Sequence, residues 1–201
     1  MWRIDLQEAV MFENFISNFP ADARSTLPPY REPRLGSVAG YNELVRIGSG
    51  VSFGAGILRL HSGDEASRAR GLVQQLFPGY VDIVPIAKDW LGRQFALDFA
   101  GADPRFPRLL LFEPGSAEVF DVECGIEQLF DVEIVADPVT FLASDLFSEW
   151  RDEGYSVPQS GQCVGFKVPL FLGGAGSIEN LEVGDEEVYW SILGQLQAKP
   201  K

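Results

Sequence analysis

Residues 81–122, VDIVPIAKDWLGRQFALDFAGADPRFPRLLLFEPGSAEVFDV, decide the fold. Four runs within this stretch, Val81–Ala87, Gln94–Phe99, Leu109–Phe112 and Glu118–Val122, are each bounded by Gly, Pro or Asp clusters. Short apolar runs closed by such turn formers have the character of strands. The segments between them are too short for the crossover of about a dozen residues that parallel pairing requires, so neighbouring antiparallel strands are expected.

Working outward, Asp64-Glu65 opens a predicted helix that ends near Phe77, before the Pro78-Gly79 turn. Upstream of it, Val51–Leu60 reads as one Gly-containing strand and Tyr41–Ile47 as a short helix. Ser25–Gly40 carries Pro28, Pro29 and Pro33 and reads as a surface connection, since proline cannot sit inside a helix. Leu6, Ala9, Val10, Phe12, Phe15, Ile16 and Phe19 recur at mostly helical spacing, which predicts an amphipathic helix stopped by Pro20. Downstream, Asp137 is a candidate cap with Pro138 in the first turn, and Val139, Leu142, Leu146 and Trp150 would share one side of a helix closed by Gly154. Cys163–Leu172 reads as strand or extended core, Gly173–Gly176 as a turn, and Asp185–Leu196 as a last helix burying Val188, Ile192 and Leu196. The expected fold class is α+β, a mainly antiparallel sheet of about five to six strands flanked by helices. With 201 residues and 46% apolar side chains, one domain over 1–201 is expected, residues 1–50 supplying a helix and a Pro-rich connection to a core at 51–201.

Charge is distributed unevenly along this chain. Residues 1–110 carry twelve acids and twelve bases, so the formal charge of -13 resides wholly in residues 111–201. Between Arg108 and Arg151 ten acids occur without a single Lys or Arg. A concentrated negative field attracts basic partners and repels phosphate, which argues against nucleic-acid binding. The N-terminus lacks the pattern of a signal peptide, and no apolar run approaches the ~20 residues needed to span a bilayer, so no membrane partner is expected. Cys124 and Cys163 read as isolated, reduced thiols, in keeping with a cytoplasmic location.

Parts for catalysis are few. His61 is the one histidine, neither cysteine has a nucleophile context, and there is no nucleophile-elbow Gly-x-Ser-x-Gly. One His and two distant Cys do not make a zinc site. Asp121, Glu123, Asp131 and Glu133 could hold Mg²⁺ or Ca²⁺ if their segments met, but alternate-residue acids also describe the wet face of a strand. Neither Gly48-Ser49-Gly50 nor Gly173-Gly174-Ala175-Gly176-Ser177 completes a nucleotide-binding motif. The recurrence of Phe-Asp-Val-Glu at 120 and 130 is too short for an architectural repeat. These observations describe a binding protein rather than an enzyme, with no metal and no cofactor.

The segment Cys163-Val164-Gly165-Phe166-Lys167-Val168-Pro169-Leu170-Phe171-Leu172-Gly173-Gly174, continued by Glu179-Asn180-Leu181, Tyr189-Trp190 and Gln195-Leu196, resembles the C-terminal signature of the type VI secretion DNase-immunity domain family. Asp89-Trp90-Leu91-Gly92-Arg93-Gln94-Phe95-Ala96-Leu97-Asp98 is similar to a strand pair in those proteins and in the wider SUKH superfamily, although Arg93 stands where many SUKH members have Asp. The likeness runs from about Val51 to Leu196 and implies a SUKH-like α+β domain that neutralises a toxin, often a nuclease, by direct binding. A second reading is a regulatory or scaffold module of SUKH type, like the yeast cell-wall-assembly regulators, that binds endogenous partners.

Resemblance and charge together nominate Glu113, Glu118, Asp121, Glu123, Glu127, Asp131 and Glu133 as the acids of a partner-binding face, with Trp90 or Phe120 as an aromatic anchor. The expected partner is a cognate protein toxin, a basic nuclease. For the acids the alternative is a merely solvated surface, and for the aromatics it is plain core packing.

Overall fold

The computed structural model describes residues 11–101 and 103–198. In chain order the helices are α1 (Glu13–Asn18), α2 (Tyr41–Gly48), α3 (Gly63–Leu76), α4 (Ile126–Gln128), α5 (Ile134–Ala136), α6 (Pro138–Leu142), α7 (Ser144–Asp152) and α8 (Glu186–Gln197). The strands are β1 (Ser52–Phe53), β2 (Leu58–Leu60), β3 (Ile83–Asp89), β4 (Gln94–Asp98), β5 (Arg108–Glu113), β6 (Glu118–Asp121), β7 (Gln162–Phe166) and β8 (Leu181–Asp185). Strands β1 to β6 pair consecutively and antiparallel in one six-stranded sheet, with short connections from β3 to β6 and α3 between β2 and β3, and β7 and β8 form a separate hairpin.

Helices cover both faces of the sheet, so successive residues of its middle strands are buried rather than alternating with exposed ones. On one face Leu72, Val73 and Leu76 of α3 and Trp190 and Leu193 of α8 pack over Ile83, Ala96, Leu110 and Phe112. The other face carries the larger core, where Phe95, Leu97, Leu109 and Leu111 meet Phe15, Leu44, Leu129, Phe130, Leu142 and Trp150. Successive residues such as Leu109 and Leu110 therefore serve opposite layers.

Three expectations are corrected. Val51–Leu60 is not one strand but the β1–β2 hairpin, turned by Gly54, Ala55 and Gly56, all with positive φ. The helix predicted from Asp137 to Trp150 is two, because Ala143 adopts φ 49° and breaks it, although Asp137 does cap α6 by accepting the Thr140 N–H. Helix α8 turns Val188 and Ile192 half toward solvent, while Glu186, Trp190 and Leu193 face inward. Of the predicted N-terminal helix, residues 5–10 lie outside the described residues, and α1 is its remaining part, stopped before Pro20.

Candidate partner-binding face

Strand β6 is the last strand of the sheet, paired only with β5. Its Glu118 and Asp121 are exposed, as are Glu123 and Glu127 in the segment that leads into and through α4. The Asp121 carboxylate accepts the Glu123 N–H at 3.1 Å, which turns the chain out of the sheet, and it lies 3.8 Å from Arg108. Beyond α4 the chain makes one π turn at Leu129–Glu133 before α5, so the second Phe-Asp-Val-Glu is helical where the first is a strand. That turn leaves Asp131 and Glu133 half-buried with local duties. Asp131 accepts the Phe15 N–H at 2.9 Å and the Asn14 amide at 3.3 Å, fixing α1, and Glu133 accepts the Gln128 amide at 2.8 Å. The exposed acids of the β6–α4 segment are thus Glu118, Asp121, Glu123 and Glu127, with Glu118 and Asp121 on opposite faces of the edge strand.

Two nominated residues do not reach this surface. Trp90 is 1% exposed, stacks near Phe147 and Trp150, and donates its indole N–H to the Leu142 carbonyl at 3.0 Å. It positions α6 and α7 rather than anchoring a partner. Glu113 is buried beside the Asp89–Arg93 ion pair, with 3.6 Å to Arg93 and a 2.9 Å hydrogen bond from the Gly115 N–H. Burial pushes its carboxyl up to about 7, the nearby guanidinium notwithstanding. Arg93 also donates to the Phe141 carbonyl at 3.0 Å, so this cluster ties β3, β4 and β5 to α6 beneath the acidic face. A sequence signal was available: Glu113 follows Leu109 and Leu111 at a period of two and must share their buried side.

The opposite layer holds a second buried cluster that sequence reasoning missed. Lys88 Nζ donates to Glu186 at 2.6 Å, and Glu186 accepts the Gln94 side-chain amide at 2.8 Å. The Gln94 oxygen is then left to accept from His61 Nε2 at 2.8 Å, which fixes the imidazole tautomer. Burial pushes His61 down to about 4, so the ring is neutral at pH 7. Its partner is an amide, and no nucleophilic side chain hydrogen-bonds to it among the described residues. Nor is any group of three or more His, Cys, Asp or Glu arranged to hold a metal ion among them. Cys124 and Cys163 are free thiols, and burial raises both well above the usual range.

The residues that carry the family likeness hold the C-terminal loop together. Asn180 accepts the Val168 N–H at 2.9 Å and donates to the Val168 and Ala175 carbonyls at 2.8 Å each. At Gly174 a Cβ would stand 1.9 Å from the Val168 carbonyl oxygen, so no other residue fits. Gly165 lies flat under the Tyr189 ring, and Gly92, with φ 77°, lies against Cys163. The signature is a packing device: Val164, Phe166, Leu170 and Leu181 join the larger core, while Phe171, Tyr189 and Trp190 join the α3–α8 layer.

A crystal structure of Atu4351 from Agrobacterium tumefaciens is similar to this chain with a TM-score of 0.62, covering 94% of this chain and 90% of that one. At 16% identity the similarity speaks for the fold. No curated protein matches the chain in sequence. Residues 137–197, which supply α6, α7, the β7–β8 hairpin and α8, match the family model described as T6SS immunity protein Tdi1, C-terminal. Over these residues the chain is similar to a type VI secretion immunity family.

Proposed function

We propose that this chain is an immunity protein that binds and neutralises a cognate secreted nuclease, and that the docking face is the exposed carboxylate row Glu118, Asp121, Glu123 and Glu127. The observation that carries the reading is the base-free stretch from Leu109 to Trp150, whose β6–α4 segment presents these four acids to solvent. A nuclease must hold phosphates with Lys and Arg, so a carboxylate surface can occupy the same basic groove and be steered to it. Inhibition of this kind is stoichiometric and needs no catalytic group or cofactor. Since the target of such a toxin is nucleic acid, the working compartment is the cytoplasm. The remaining nominated acids support this row from beneath or beside it, Asp131 through α1 and Glu113 through the Arg93 cluster.

Co-expression with the product of the adjacent gene tests the proposal directly. Rescue of growth, together with co-purification of the two chains, is the expected result. A toxic neighbour that is neither neutralised nor retained would contradict the reading and favour a regulatory module instead.

A further inference from the structure

A cleft of about 550 Å³ opens at one end of the acidic row, between the loop before β5 and the start of α4. Its floor is apolar and belongs to the main core: Val38, Leu97, Leu109 and Ile126 line it, each at most 9% exposed. Phe106 forms the lip and is 77% exposed, held between Pro104 and Pro107 with the Arg105 guanidinium 5.7 Å from its ring centre. The far wall is Asp121 and Glu123.

Charges around the cleft are unequal in their engagement. Arg105 is bound to Asp103 at 2.7 Å, and Arg108 to Asp98 at 2.5 Å, so both cations on the rim are already neutralised. Glu123 has no Lys or Arg within ion-pair distance among the described residues, and its nearest structural tie is the backbone turn made by Asp121. Asp121 shares Arg108 at 3.8 Å, so an apolar floor, an exposed aromatic lip and the unpaired Glu123 together match a guest that is apolar at its tip and cationic at its base.

We infer that this cleft receives a large apolar side chain of the toxin, carried on a segment with Lys or Arg beside it, and that this contact holds the complex after the acids have drawn it in. The inference rests on the acidic-face reading and adds a separate role to it. Long-range charge governs the rate of encounter, whereas a desolvated anchor in a pocket governs the rate of escape. A volume of this size accepts an aromatic or long aliphatic residue. Glu123 and Asp121 then meet the neighbouring cation at the edge of the buried contact, where water is excluded and the pairing is less screened.

The test is a kinetic comparison on the full chain with the adjacent-gene product. Phe106→Ala removes the lip, and Ala39→Trp, at an exposed position lining the cleft, fills the space. Both positions are on the surface, and an unchanged melting temperature confirms that the variants fold. Each variant is expected to dissociate about tenfold faster or more while associating at the parent rate with the parent salt dependence. Asp121→Lys with Glu123→Lys is expected to slow association instead. If Phe106→Ala and Ala39→Trp dissociate at the parent rate while the charge reversals still slow association, the cleft is empty in the complex and this inference fails, though the acidic face stands. If no variant alters either rate, both readings fail.

Discussion

Glu186 and Glu123 are chemically alike and do opposite work. Glu186 opens α8 and is buried, held by Lys88 at 2.6 Å and by the Gln94 amide. Glu123 stands in solvent at the end of β6, with no cation in reach among the described residues. The same division separates Glu113 and Asp89, packed around Arg93, from Glu118 and Glu127. Twelve of the protein's sixteen bases fall in residues 1–110, and the two that pair with the buried acids Glu186 and Glu113, Lys88 and Arg93, are among them. The first half of the chain thereby neutralises the buried acids of the second half. On the surface, Glu118, Glu123 and Glu127 keep no Lys or Arg within ion-pair distance among the described residues.

The difference can be broken most severely at Lys88. Lys88→Met strands Glu186 in the interior, and a buried carboxylate that loses its partner costs about 3–5 kcal/mol. Urea denaturation of the variant is expected to show a loss of that order, and a loss under about 1 kcal/mol would mean that Glu186 escapes to water.

A pH series sharpens the same contrast at Glu113. Its carboxyl is raised to about 7 in the folded chain from an ordinary value of 4.5, so between those limits the unfolded chain ionises first. Stability from this group is full below pH 4.5 and is lost as the pH rises through 7. Glu113→Gln keeps the oxygen that accepts from Gly115, and it is expected to flatten that decline and stabilise the neutral protein by on the order of 2 kcal/mol. Glu65 runs the other way. Its hydrogen bonds from Ser62, Arg59 and Ser160 outweigh its burial and hold it near 2, so its contribution is present above pH 4.5 and lost as the pH falls through 2. Denaturant midpoints of the parent and Glu113→Gln from pH 4 to 8 check the sign.

Smaller effects follow at the surface. Asp137 belongs to the acidic stretch but caps α6, and Asp137→Ala is expected to cost about 1 kcal/mol by thermal melting. Reversing Glu118, Asp121 and Glu123 together to Lys should leave stability within about 0.5 kcal/mol per site, because all three are exposed and their ties are confined to the Asp121 turn and surface charge contacts. A large loss would show that these acids serve the fold.

Much of the fold was legible because apolar runs and turn formers are local signals. The strands from Ile83 to Asp121, the helix at Gly63–Leu76 and the cap at Asp137 all follow from neighbouring residues. Where reading failed, the cause lay far away in the chain. Helix α8 was assigned the wrong inner face because Glu186 sits on the true one, and nothing near it announces Lys88, 98 residues earlier. The break at Ala143 has no Gly or Pro to mark it, and β8 was not anticipated because its partner strand lies beyond an intervening loop. The site was legible as charge but not as geometry. A row of acids can be counted from the sequence, whereas their sorting into Glu113 inside, Asp131 half inside and Glu123 outside needs the register of β5 and the π turn after α4.

Under the proposed function, the displayed carboxylates draw in a basic toxin. Stopped-flow association of the parent and of the Glu118→Lys, Asp121→Lys, Glu123→Lys triple variant with the adjacent-gene product, across a series of ionic strengths, tests it most directly. The account predicts a parent rate that falls steeply with added salt and a variant that is slower by about tenfold or more at low salt and nearly flat. Equal rates with equal salt dependence for both proteins would contradict it.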